Sequence, residues 1–147
     1  MTRPRMHLRL LLFAVLGIGA ARGSPAEEGA FVVIVHPDNP TAAVSRDFLR
    51  DAYLKKATDW PSGETIRPVD LSVRFRARER FTHEVLRKSH AQLRSYWNQQ
   101  IFSGKGLPPA EAESTEDVVA YVLAHPGAIG YLPAGAHPGA AKIVEVH

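Results

Sequence analysis

Phe31-Val32-Val33-Ile34-Val35 is a run of five apolar residues, mostly β-branched, closed by the turn chemistry of His36-Pro37-Asp38-Asn39-Pro40. A continuous run of that length fits a strand buried on both faces, the kind that sits centrally in an α/β sheet. A strand with no polar face needs cover above and below it. Helices are therefore expected on both sides of a mixed sheet, in a three-layer α/β/α arrangement.

The residues that follow supply those helices. Ser45 is placed to cap one, with Asp47 in its first turn and Phe48, Leu49, Ala52 and Tyr53 on one apolar stripe. Lys55 and Lys56 suit its C-terminal end. Thr58 to Gly63 is a loop carrying Trp60, which either stacks on a ligand or, as is commoner, lids the edge of a core. Ile66 to Leu71 reads as a strand, and its Pro68 calls for an edge position or a late start. An amphipathic helix is expected over about 76–88, with Ala77, Phe81 and Val85 on one face and Arg80–Glu84 and Glu84–Lys88 able to pair on the other. Ser89-His90-Ala91-Gln92 is a capping box that starts a further helix, with Leu93, Trp97 and Ile101 on its apolar face. Phe102 to Gly106 breaks it. The Gly104-Lys105-Gly106 loop has neither the spacing nor the preceding strand of a phosphate loop. Ser114 opens the last helix, whose stripe is Val118, Val119, Val122 and Leu123. Ala128 to Leu132 and Lys142 to Val146 read as two closing strands. The order is β-α-β-α-α-α-β-β, one domain over 31–147.

The start of the chain is of another kind. Arg3, Arg5 and Arg9 are followed by the uncharged apolar run Leu10 to Ala21, and Ala21-Arg22-Gly23 sets small residues before a cut ahead of Ser24. That is the pattern of a secretory signal over 1–23, with 24–30 a polar leader. The run is shorter than the ~20 apolar residues of a membrane span, though an uncleaved anchor is the alternative. Cleavage changes the charge. Four of the 18 basic residues and none of the 15 acidic ones precede Ser24, so the net charge falls from +3 to −1. The chain's basic balance then belongs to the signal and is no argument for nucleic-acid binding. Cys is 0, so neither a disulfide nor a lipidated cysteine follows export. A soluble periplasmic or secreted protein is expected.

Charge of one sign collects at only one place after the signal, Arg74, Arg76, Arg78 and Arg80. It lies where the strand ending at Leu71 leads through Ser72 to Phe75 into a helix. In open α/β sheets ligands sit outside the carboxyl ends of strands, and a helix start offers free N–H groups to an anion. Ser72, Arg74, Arg76 and Arg78 are thus the candidate anion contacts. A solvated helix face, balanced by Glu79 and Glu84, is the other role these arginines fit.

Four phrases in order, HPDNP, SRDFLRDAYLKKATDWPSG, ARERF and HPGAIGYLP, resemble the substrate-binding proteins of phosphate ABC transporters. The resemblance implies one lobe of a type II periplasmic binding protein, a short member of that superfamily. The sequence departs from the family at its phosphate loop, Ser-Arg-x-x-Gly-Ser-Gly-Thr. With the family's helix phenylalanine at Phe81, the loop falls on Asp70 to Ala77. Leu71 then stands in the place of the arginine, and Phe75, Arg76 and Ala77 in those of Ser, Gly and Thr. Arg78 and Glu79 match but flank the loop, so the family's phosphate site does not carry over residue by residue.

No His or Cys pair has a metal spacing, and nothing like a nucleophile elbow precedes a helix. No enzyme and no cofactor are expected. Two roles remain open. One is a solute-binding-like domain that touches phosphate or another small oxyanion weakly, with a second lobe supplied by a protein partner or a second copy. The other is a protein-interaction module that uses Phe75 as an anchor on the altered face.

Overall fold

The computed structural model describes residues 28–147. The basic start, the apolar run, the cut ahead of Ser24 and residues 24–27 of the leader lie outside the described residues. The elements are β1 (Phe31–Val35), β2 (Ala43–Val44), α1 (Arg46–Tyr53), β3 (Arg67–Leu71), α2 (Arg76–Glu84), α3 (His90–Phe102), β4 (Ala110–Ala112), α4 (Thr115–Ala124), β5 (Ala128–Pro133) and β6 (Lys142–Val146).

They form one mixed sheet in the order β2-β6-β1-β5-β3-β4. The apolar run is a central strand as expected, antiparallel to β5 on one side and β6 on the other. β3 runs parallel to β5 and to β4. Gly130 of β5 faces α4, where a Cβ would lie 2.8 Å from Val118 and 3.2 Å from Val122. On the opposite face, rings from the strands and from α1 and α2 interlock. Phe81 stacks on Tyr131 with centroids 4.0 Å apart, and Tyr53 and Phe31 meet Phe81 edge-on at 4.7 and 5.3 Å. All but Phe31 are fully buried. Each buried aromatic side chain of this size stabilises the fold by about 2–3 kcal/mol, so this layer is the main core. Among the described residues no helix is long and apolar enough to cross a membrane.

Three serines begin helices as their positions imply. Ser45, Ser89 and Ser114 accept from the amides of Phe48, Gln92 and Asp117, and Gln92 closes the box by accepting from the Ser89 amide. Trp60 is buried, packs on Phe48 and donates from Nε1 to the Gly127 carbonyl at 3.0 Å. It lids the core.

Four expectations are corrected. β2 and β4 were not foreseen: at two and three residues they are too short to show a periodicity, and pairing to β6 and β3 creates them. Of the two places Pro68 allows, the edge position falls, because β3 lies inside the sheet, and the late start holds on its β4 side. The Arg67 amide donates to Gly127, which turns the Pro68 nitrogen toward β4, and β4 pairs only from Val69 onward. No ladder donor is lost. α2 stops at Glu84 because Arg87 takes a left-handed φ of 54° ahead of the Ser89 cap. Glu84 therefore meets Arg80 at 2.8 Å and Arg46 at 3.6 Å, with no turn left to bring Lys88 to it. Ile101 and Leu123, placed on buried stripes, are 48% and 36% exposed.

Candidate functional site

β3 delivers the chain to the carboxyl end of the sheet at Leu71. The Ser72 amide closes onto Ala112 of β4 at 2.9 Å, and the Phe75 amide returns to the Ser72 carbonyl at 3.1 Å. This tight turn aims α2 back over the sheet. Phe75 occupies the cap position of α2 and provides no side-chain acceptor for the first amides. The Arg78 amide closes onto the Phe75 carbonyl at 3.0 Å, which leaves the Arg76 and Ala77 amides without a side-chain cap.

The turn does not gather its arginines at one point. Arg74 is exposed and donates to the Glu113 carbonyl at 2.6 Å, with that residue's carboxylate at 3.5 Å. Arg76 is exposed and pairs with the Glu28 carboxylate. Arg78 points inward and is 8% exposed. Its Nη1 donates to the Leu71 carbonyl at 2.5 Å and pairs with Asp70 at 3.1 Å and Glu111 at 3.4 Å. Its Nε is the one buried side-chain polar atom without a hydrogen-bond partner among the described residues. Ser72 is buried below the turn. Phe75 is half-buried against the core, so its ring is part of the fold's margin.

Beneath the turn lies a buried polar centre that sequence reasoning missed. β3 and β5 are registered only at Arg67–Ala128 and Pro68–Ile129. Beyond these pairs side chains bond across the strands. The Tyr53 hydroxyl sits 2.8 Å from the Val69 carbonyl and 3.2 Å from that of Ile129. The Tyr131 hydroxyl donates to the Asp70 carboxylate. Burial pushes the Asp70 carboxyl up to about 6, and the opposing pull of Arg78 and of the Tyr131 hydrogen bond does not offset it. Burial likewise raises the Tyr53 and Tyr131 hydroxyls well above the ordinary tyrosine value, so both remain donors. Asp70, a carboxylate set between Val69 and Leu71 in a strand, was the available signal.

Beside the turn a groove of about 400 Å³ opens against α3. It is lined by Val73, Arg78, His90, Leu93, Arg94 and Trp97. Of the four candidate anion contacts, only Arg78 reaches it. His90, Arg94 and Trp97 were not singled out as ligand contacts, although their spacing places them on one face of α3. A second cavity, about 310 Å³, lies over β1 and β6, rimmed by Arg46, Arg80 and Glu84.

No family model matches the chain, and no curated protein matches it. Solved structures do. A phosphate ABC transporter substrate-binding protein from Clostridium perfringens, solved with bound phosphate, superposes with a TM-score of 0.62 at 19% identity over 81% of this chain and 46% of its own. An ABC-type phosphate transport receptor from Vibrio cholerae gives 0.63 at 16% identity, covering 79% of this chain and 45% of its own. PstS from Borrelia burgdorferi gives 0.61 at 13% identity, over 80% and 47%. The chain spans a little under half the length of these proteins. It has the fold they share, as a single PstS-like lobe.

Proposed function

We propose that this chain is an exported solute-binding lobe that contacts a small oxyanion, with phosphate the first candidate, at the turn and helix start spanning 72–78. The observation that carries the reading is the shared fold with a receptor solved with phosphate bound. The uncapped first turn of α2, flanked by the exposed Arg74 and Arg76, supports it at the carboxyl end of β3.

The role is binding without chemistry, as in the named neighbours. Arg74 and Arg76 lend charge from the rim, and the amides of Arg76 and Ala77 donate. Arg78 is held by Asp70 and Glu111, so it shapes the turn and lends less charge. An anion on one open lobe stays partly solvated, where each exposed ion pair contributes only about 0–1 kcal/mol. Affinity for the isolated chain is accordingly weak, about millimolar, or −4 kcal/mol. A second wall, from another protein or a second copy, would raise it by excluding water.

Calorimetric titration with phosphate and with sulfate tests the site. Saturable heat that weakens in Arg76→Ala supports it; absence of heat at millimolar ligand, unchanged by the substitution, ends it. Export is tested separately by expressing the full chain in a bacterium and weighing the periplasmic product, whose expected first residue is Ser24.

A further inference from the structure

We infer that the groove between the Ser72–Phe75 turn and α3 is a subsite for an organic anion, one that carries an aromatic or branched apolar group beside its charged group. This deepens the solute-binding reading and rests on it. Size is the first ground. About 400 Å³ falls within the range of sites for organic ligands and far exceeds what a bare tetrahedral oxyanion fills.

The walls give the second ground. Val73 is 64% exposed on the turn, an apolar side chain standing in solvent at the rim. Leu93 and Trp97 form the opposite wall. An apolar body laid there would cover chiefly the Val73 side chain, since Leu93 and Trp97 are only 6% and 8% exposed.

Charge gives the third. Among the described residues no acidic one lines the groove. Arg78 is already met by Asp70 and Glu111. Among the described residues Arg94 has no carboxylate within ion-pair range, unlike Arg74, Arg76 and Arg78 of the turn. His90 lies one helical turn before Arg94 and Trp97 about one turn after it. An anionic group is expected at Arg94 and His90, with the ligand's apolar part toward Trp97 and Val73.

Calorimetry with phenyl phosphate and inorganic phosphate separates this from simple anion binding. Phenyl phosphate is expected to bind about tenfold tighter, the gain from burying a ring. Arg94→Gln and His90→Gln, both at exposed positions on α3 outside the 72–78 turn, should each remove most of that advantage and leave inorganic phosphate unchanged. Equal affinity for the two ligands overturns the inference, as does an advantage that survives both substitutions. If inorganic phosphate gives no heat while phenyl phosphate binds through Arg94, the 72–78 site fails and the groove stands. If neither ligand binds, the groove fails too.

Discussion

The hydroxyl of Tyr131 on β5 donates to the carboxylate of Asp70 on β3, across a stretch where the two strands no longer register. Arg78 closes on the same carboxylate at 3.1 Å from α2. Three elements are thus tied at one buried point directly below the turn that leads into α2. Any ligand site on this turn inherits its rigidity from that point.

The Asp70 carboxyl is raised by burial from 3.8 to about 6. The folded state therefore holds its proton over a range where the unfolded chain has released it. This contribution to stability is fully present below about pH 4 and is lost as pH rises through about 6, a change of about 3 kcal/mol. Asp70→Asn cannot release a proton. Measured by urea unfolding, the variant should gain about 3 kcal/mol relative to wild type between pH 4 and pH 7. Parallel curves for the two proteins would contradict the burial of Asp70.

Arg78→Met should be costly at neutral pH, because it leaves a buried carboxylate without its cation. Loss of one partner from a buried pair costs about 3–5 kcal/mol. The penalty should shrink at pH 4, where Asp70 is protonated and needs no cation. A penalty that does not vary with pH would mean that Arg78 acts through packing alone.

Much of the fold could be read in advance because local chemistry and tertiary packing agree. β1 and β5 are apolar runs with clear stops, β6 carries three β-branched residues, and Ser45, Ser89 and Ser114 are caps whose partners lie within three residues. β2 and β4 could not be read, since strands so short exist through their neighbours. The arginines illustrate a different limit. Arg74, Arg76 and Arg78 look like one cluster in a linear sequence. A helix rotates successive residues by about 100°, so alternate ones point nearly opposite ways. Arg76 reaches Glu28 at the surface while Arg78 enters the core, and Arg74, in the turn, bonds to Glu113. The groove residues were obscured for the converse reason. Val73 and Arg94 belong to separate elements and meet only through the fold.

Gly127 is irreplaceable for steric reasons. A Cβ there would stand 1.9 Å from the Thr65 carbonyl oxygen. Its own carbonyl also accepts from the Trp60 indole at 3.0 Å and from the Arg67 amide at 2.9 Å. Gly127→Ala should force the Trp60 loop off β5 and cost about 3 kcal/mol, seen as a lower urea midpoint and a red-shifted tryptophan emission. An unshifted midpoint would show that the loop yields freely.

Glu28 competes with any anion for Arg76. Glu28→Gln removes that competitor and should tighten phosphate binding about threefold, with the gain fading at high salt. Calorimetry at low and high ionic strength checks it. Weaker binding in the variant would show that Glu28 orders the site.

Amide chemical-shift mapping during a phosphate titration examines the solute-binding reading most directly. Shifts that saturate together at Ser72, Phe75, Arg76 and Ala77 are expected, with α4 and β6 unmoved. Shifts confined to the cavity rimmed by Arg46 and Glu84, or none at all, would contradict a ligand site at the start of α2.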